Sequence, residues 1–262
     1  MTAPPIFTLR EGAGPLIISI PHAGTYLPPD IAAGLTPIGQ RVIDTDWHVD
    51  QLYAFAAELD VTILTATHSR TVVDLNRPPA GGKLYPGQAE TGLCPTETFA
   101  GDPLYATAPP DDAEITRRRA TYWQPYHDAL ARHLARLKSL HGTARLLDAH
   151  SIHGHIPRLF EGDLPDLNFG TNAGLSADPK LTAKIVQAAE NQGFSTILNG
   201  RFRGGYITRH YGAPDGDIHA IQLELAQRTY IDENTPGGAY DPTQAAALIA
   251  TLRRIVSALL AG

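Results

Sequence analysis

The chain has 262 residues, 43% of them hydrophobic, so it can bury a sizeable core and is not a disordered segment. Its formal net charge of −6 argues against a general nucleic-acid surface, and an anionic ligand must be drawn by local arginines and not by the global field. The single cysteine, Cys94, excludes a disulfide framework and a thiolate-rich zinc knuckle. The apolar run 16–20 is too short for a signal peptide and lacks a basic flank. No run approaches the ~18 apolar residues of a membrane span. A cytoplasmic globular protein with no membrane or nucleic-acid partner is expected, and its oligomeric state is not encoded in any pattern.

Short β-like runs alternate with helix-like ones. Residues 16–20 read as a buried strand stopped by Pro21, and 47–59 as a helix carrying Trp47, Leu52, Phe55, Ala56 and Leu59 near one face. Residues 61–65 and 72–75 read as strands. The stretch 77–110 is rich in Pro and Gly and has no period, and a loop this long in a compact domain is usually functional, here a lid. Asp111 with Glu114 opens a long helix that Gly142 stops and Pro125 should kink or split. Leu146 and Leu147 lead a strand into Asp148-Ala149-His150, and 162–172 reads as a loop. A helix over 178–193, strands at 195–198 and 218–225, and a helix over 242–260 complete the chain. The alternation predicts one α/β domain spanning 1–262, with a mostly parallel, mixed central sheet and helices on both faces.

In open α/β sheets, chemistry gathers at the carboxyl ends of the strands. His22 and His150 each follow an apolar strand and precede a small residue, which holds an imidazole rigidly at the rim. Either one alone is more simply a loop hydrogen-bonding group. Together with one carboxylate they make a catalytic zinc shell with a position left for water. The carboxylate is sought in Asp44-Thr45-Asp46-Trp47-His48, a dense cluster at a helix start, where one aspartate can cap while the other binds metal. Asp46 is taken as the ligand and Asp44 as its supporting partner. His48 is a further ligand or an orienting group. Asp148, two residues before His150, is placed as a supporting carboxylate.

Strand alternation puts Ile218, Ala220, Gln222 and Glu224 on one face and Ile221, Leu223 and Leu225 on the other. A carboxylate inside such a run is costly unless paired. A structural salt bridge is the plain reading. The functional one is a general base that takes a proton from zinc-activated water and returns it to a leaving amine.

Arg70 and Arg77 flank Asp74, with Asn76 beside them, and a guanidinium fork suits a carboxylate or a polarised carbonyl oxygen. Both arginines could equally pair with Asp74. A second basic stretch, 201–212, contains Gly204-Gly205, which allows close backbone approach. Tyr206 and Arg209 there form a candidate substrate clamp, with a solvated loop as the alternative.

Read together, Pro21-His22-Ala23-Gly24, the 44–48 cluster, Arg70 through Arg77, Asp148-Ala149-His150-Ser151, the stretch 203–212 and Gln222-Leu223-Glu224 occur in one order, and the loop Asn168-Phe169-Gly170-Thr171-Asn172 joins them. The set resembles the N-formylglutamate amidohydrolase family, from about residue 17 to 240. The resemblance implies a phosphorylase/hydrolase-like fold of the zinc-exopeptidase kind, one Zn2+, and hydrolysis of N-formyl-L-glutamate to L-glutamate and formate in histidine degradation. By analogy with related deacylases, Asn76 and Arg77 would hold a substrate carboxylate, and Arg70 would polarise the scissile carbonyl. One departure concerns Thr25, which stands where the carboxypeptidase-like zinc motif has a glutamate three residues after its first histidine. Competing readings are a deacylase for another N-acyl amino acid, a carboxypeptidase-like hydrolase, or a non-catalytic metal-dependent binder of an acidic metabolite.

Overall fold

The computed structural model describes residues 3–262 except 83, 85, 86, 88 and 236. Its strands are β1 (Phe7–Arg10), β2 (Leu16–Ile20), β3 (Thr62–Ala66), β4 (Ala144–Ile152), β5 (Leu167–Gly170), β6 (Thr196–Leu198) and β7 (Ile218–Ala226). The helices are α1 (Pro29–Ala32), α2 (Val49–Leu52), α3 (Asp112–Arg118), α4 (Gln124–His141), α5 (Pro179–Ala189), α6 (Tyr206–Tyr211) and α7 (Pro242–Ala261). One sheet runs in the order β1-β3-β2-β4-β7-β5-β6. Its centre is parallel, and β1 and β5 run antiparallel to their partners β3 and β7. The mixed, mostly parallel sheet of the sequence reading is present.

Period-two alternation sorts the central strands onto two cores. Leu16, Ile18 and Ile20 of β2, Leu147 and Ala149 of β4, and Ile221, Leu223 and Leu225 of β7 face α5, α7 and the 3₁₀ turn Ala54–Leu59. Ile17, Leu146 and Ala220 face the other way, onto Tyr126, Leu130, Leu134 and Leu137 of α4. Toward the carboxyl ends, this second face turns polar, with Ser19, Asp148, His150, Gln222 and Glu224 replacing aliphatics. The site therefore lies on the α4 side of the sheet at its carboxyl end.

Several elements differ from the sequence reading. The expected helix over 47–59 is a short α2 followed by a 3₁₀ turn, because the chain breaks at His48 (φ 58) and at Tyr53, which is itself fully buried. Residues 72–75 form no strand. They make a tight turn in which Val72 N bonds Ser69 O and Asp74 N bonds Leu93 O, so a β-branched run fills the core without entering the sheet. β1, β5 and α6 were not foreseen. Pro125 is accommodated as anticipated by an interruption, here a π-helical turn Arg119–Trp123 immediately before α4, which relieves the clash a proline imposes on the preceding turn. Asp111 caps α3 through Glu114 N at 2.9 Å, and Gly142 ends α4 at φ 74. α7 is long and apolar enough to cross a membrane, contrary to the expectation that no run approaches that length. Its Ala245, Leu248, Leu252, Ile255, Val256 and Leu259 are buried against the sheet.

Candidate active site

His22 stands one residue beyond β2, after Pro21, and its carbonyl accepts from Asp46 N at 3.1 Å, which ties the 44–48 turn to the strand end. His150 sits near the end of β4. Nδ1 of His22 lies 3.7 Å and Nδ1 of His150 3.0 Å from Oδ2 of Asp46. The three side chains are buried, and one potential ligand atom from each falls within 4.8 Å of the others, forming a cluster able to hold a metal ion.

The remaining ring nitrogens are committed. Nε2 of His22 donates to Asp74 Oδ1 at 2.8 Å, and Nε2 of His150 lies 3.0 Å from Asp148 Oδ2. Each histidine thus has an outer carboxylate that fixes its ring, the arrangement typical of metal-bound imidazoles. Nδ1 of His22 has no hydrogen-bond partner among the described residues although it is buried, which is the orphan expected of a metal ligand. Asp74 is pinned in turn by Arg70 Nη2 at 2.6 Å and Asn76 N at 2.8 Å.

The electrostatics agree with a cation site. Burial pushes against ionisation of Asp46, but the hydrogen-bonded His150 and the neighbouring His22 outweigh it and hold its carboxyl well below the usual range. Burial likewise opposes a charged His150, yet Asp148 and Asp46 raise its pKa well above that of free histidine. Without metal the cluster therefore retains protons that a cation would displace.

Glu224 stands beside His150. The two are paired across β4 and β7, as are Asp148 and Gln222. Burial raises the Glu224 carboxyl to about 7, moderated by His150 and Arg70, and Gln222 Nε2 donates to its Oε2 at 3.1 Å. His22, His150, Glu224, Arg70, Asn76 and Arg77 all line one cavity of about 570 Å³, counting its open mouth.

Arg70 reaches from this cavity to Asp46 (3.5 Å) and Asp74, with its guanidinium carbon 4.7 Å from the centre of the Phe99 ring. Asn76 donates to Asp148 Oδ2 at 3.1 Å and accepts from Ile207 N at 2.8 Å. Arg77 donates to Thr91 O at 2.8 Å. The described part of the expected lid supplies Arg77, Glu90, Thr91 and Phe99 to the wall. The rest of that stretch, 83, 85, 86 and 88, lies outside the described residues.

Other expected residues stand elsewhere. Asp44 turns away from the cluster and accepts from Phe99 N at 2.9 Å, and burial lifts its carboxyl to about 6. His48 bonds Gly238 O at 2.7 Å and packs on Tyr240, so it neither joins nor orients the cluster. Tyr206 and Arg209 do not line the cavity. Tyr206 stacks on His210, its N bonds Asn76 O, and Arg209 bonds Gly204 O and Leu84 O. Their helix α6 supports Asn76 from behind. Gly205 N bonds Gln222 Oε1 at 2.7 Å, and a Cβ on Gly205 would fall 2.4 Å from the Asn76 amide, so glycine is required there by space.

Gln222 and Arg201 in the cavity wall, and Asp74 behind His22, are candidate site residues that sequence reasoning missed in those roles. In the sequence Asp74 reads as an arginine partner within the 70–77 motif, not as the partner of His22. Gln222 was visible on the same strand face as Glu224, two residues away. Arg201 lines the cavity where Arg209 was expected to serve.

The N-formylglutamate amidohydrolase family model matches residues 14–231. An N-formylglutamate deformylase from Pseudomonas aeruginosa is 50% identical over 258 residues, covering 98% of this chain and 96% of that protein. One from Pseudomonas putida is 46% identical over the same span. The crystal structure of N-formylglutamate amidohydrolase from Ralstonia eutropha JMP134 superposes with a TM-score of 0.80 at 26% identity, covering 97% of both chains. A clustered His22, Asp46 and His150 beside Glu224, on a chain matched nearly end to end by these relatives, places it in the N-formylglutamate amidohydrolase family.

Proposed function

We propose that the protein is a zinc-dependent amidohydrolase that converts N-formyl-L-glutamate and water to L-glutamate and formate, acting in the cytoplasm in histidine degradation. The observation that carries this reading is the pairing of His150 with Glu224 across two strands, which sets a buried carboxyl beside the His22–Asp46–His150 cluster in an arginine-lined cavity.

His22, Asp46 and His150 would hold the ion, and their mixed nitrogen and oxygen donors suit zinc. When bound, the ion supplies Lewis-acid polarisation and acidifies water. Glu224 accepts the proton of the attacking water and delivers it to the amide nitrogen as the C–N bond breaks. Burial, which raises this carboxyl in the metal-free protein, favours both the uptake and the return of the proton. Arg70, desolvated and locked by Asp74, donates to the carbonyl oxygen as negative charge develops there. Asn76 and Arg77 position a substrate carboxylate, and Arg201 adds a third guanidinium to the wall. A dicarboxylate substrate suits a cavity wall that carries three guanidinium groups.

The test is formate release from N-formyl-L-glutamate by purified protein, before and after chelation and after Zn2+ is restored. Full activity after the metal content has been reduced to background would sink the reading. Absence of turnover with zinc bound would leave a hydrolase for another substrate or the non-catalytic binder.

A further inference from the structure

A second hollow adjoins the cavity and measures about 1400 Å³ with its open mouth counted, against about 570 Å³ for the cavity on the same basis. It is lined by Trp47, Ile156, Ile231 and Asp44 among others. Among the described residues, the two hollows share only Phe99 and Ile152 in their walls. Phe99 is therefore a partition, with the reaction cavity on one side and a larger, partly apolar cleft on the other.

Phe99 is also held firmly. It is 8% exposed and packs with Ile152, Ile156 and Leu164. Its main-chain N donates to Asp44 Oδ2 at 2.9 Å, and the preceding Thr98 N bonds Asp102 O at 2.8 Å. The role of Asp44, which stays out of the metal cluster, is accounted for by this bond. The Arg70 guanidinium sits over the Phe99 ring.

We propose that Phe99 is the specificity-determining residue that limits the acyl group to formyl, by closing the cavity beside Arg70 and sealing off the cleft behind it. This rests on the reading of the site as an N-acyl amino acid hydrolase in which Arg70 meets the acyl oxygen. The amino-acid end of the substrate extends toward Arg77 and Arg201. The remaining substituent on the acyl carbon then meets the wall that Phe99 and Ile152 form. In a formyl group that substituent is a hydrogen, whereas an acetyl or propionyl group brings carbon against a packed ring. The bond changes are the same for every acyl group: water oxygen adds to the acyl carbon, the C–N bond breaks, and a water proton goes to nitrogen. Only the space beside the carbonyl differs. A close-packed wall discriminates one methyl or methylene group by roughly 10–200-fold.

The experiment compares kcat/KM for N-formyl-, N-acetyl- and N-propionyl-L-glutamate in the zinc-loaded wild type, Phe99→Ala and Phe99→Leu. The wild type should prefer formyl strongly. Phe99→Ala should raise the acetyl-to-formyl ratio by about tenfold or more and bring propionyl turnover into range, with Phe99→Leu intermediate. A purely supporting role for the ring would lower all substrates in proportion and leave the ratios unchanged, and that result overturns the proposal. So does a wild type that turns over acetyl as fast as formyl. If Phe99→Ala fails to fold, the Phe99→Leu ratio decides by the same criterion. Wild-type formate release and its loss on chelation test the underlying reading separately.

Discussion

His150 and Glu224 are direct neighbours in the parallel ladder between β4 and β7, one residue offered to the metal cluster and the other held next to it. Because both belong to the sheet's backbone register, their separation is fixed by the core beneath them and not by a loop. The proposed general base would contribute through proton transfer alone, so it can be removed without dismantling the His22–Asp46–His150 cluster. Glu224→Gln keeps the shape and the Gln222 neighbour but cannot accept a proton. Turnover should fall by about 10²–10⁴-fold while bound zinc, measured by elemental analysis, stays at the wild-type level. Near-normal turnover at full zinc occupancy rules out the base role.

The outer carboxylate of His22 offers a separate handle. Asp74 accepts from His22 Nε2, from Arg70 and from Asn76 N, so it orients a ligand and a candidate catalytic arginine at once. Asp74→Asn should weaken zinc binding by about 10–100-fold in competition with a chromophoric chelator. Unchanged affinity would mean that the His22 ring is fixed by something other than Asp74.

The raised Glu224 carboxyl has a thermodynamic consequence in the metal-free protein. Burial moves it from 4.5 to about 7, so between those values the folded state holds a proton that the unfolded chain has released. The contribution of this group to stability therefore declines as pH rises through that window, and the full penalty is present above about 7. Its ceiling is about 3 kcal/mol, at 1.36 kcal/mol per pH unit of displacement. Chelator-treated Glu224→Gln should exceed wild type in denaturant stability at pH 8, with the difference vanishing below pH 4.5. A difference that does not vary with pH would show that Glu224 is not strained by ionisation.

Sequence pattern revealed the parts of the site that depend on local rules. His22 comes after the apolar β2, His150 lies near the end of β4, and Glu224 obeys the period-two alternation that distributes β7 between two cores. Asp46 could not be told from Asp44 in this way, since both lie in one turn. Their opposite directions are set by partners over fifty residues away, His150 for Asp46 and Phe99 N for Asp44. The left-handed backbone at His48, which carries that ring toward Gly238 and away from the cluster, has no signature in the sequence. Residues 72–75 imitated a strand because β-branched residues suit any buried extended segment, and that disguised Asp74 as a strand residue between two arginines. Tyr206 and Arg209 looked like a clamp because of their residue types. The helix that carries them acts instead through its amino end, where Ile207 N grips Asn76.

That grip makes Gly205 the position where a small change should matter most. Its φ of −83° is ordinary for any residue, so alanine would be strained only by space. The added Cβ would lie 2.4 Å from Nδ2 and 2.5 Å from Oδ1 of Asn76, and relief requires that the amide move. Moving it breaks the donor bond to Asp148 and the acceptor bond from Ile207 N, which loosens the carboxylate behind His150 and the wall facing the substrate. Overpacking of this kind costs about 1–3 kcal/mol of stability. The effect on catalysis should be larger, because displacements near 1 Å in a positioned site can cost about 10²-fold. Gly205→Ala should therefore remain folded, with a lowered melting temperature, and lose at least about tenfold in kcat/KM. Replacing Asn76 by Ala in the same protein removes the clashing amide, so the double variant should melt above the Gly205→Ala single variant while staying poorly active. A Gly205→Ala protein with wild-type kcat/KM would show that Asn76 can shift without consequence, and would remove it from the positioning machinery.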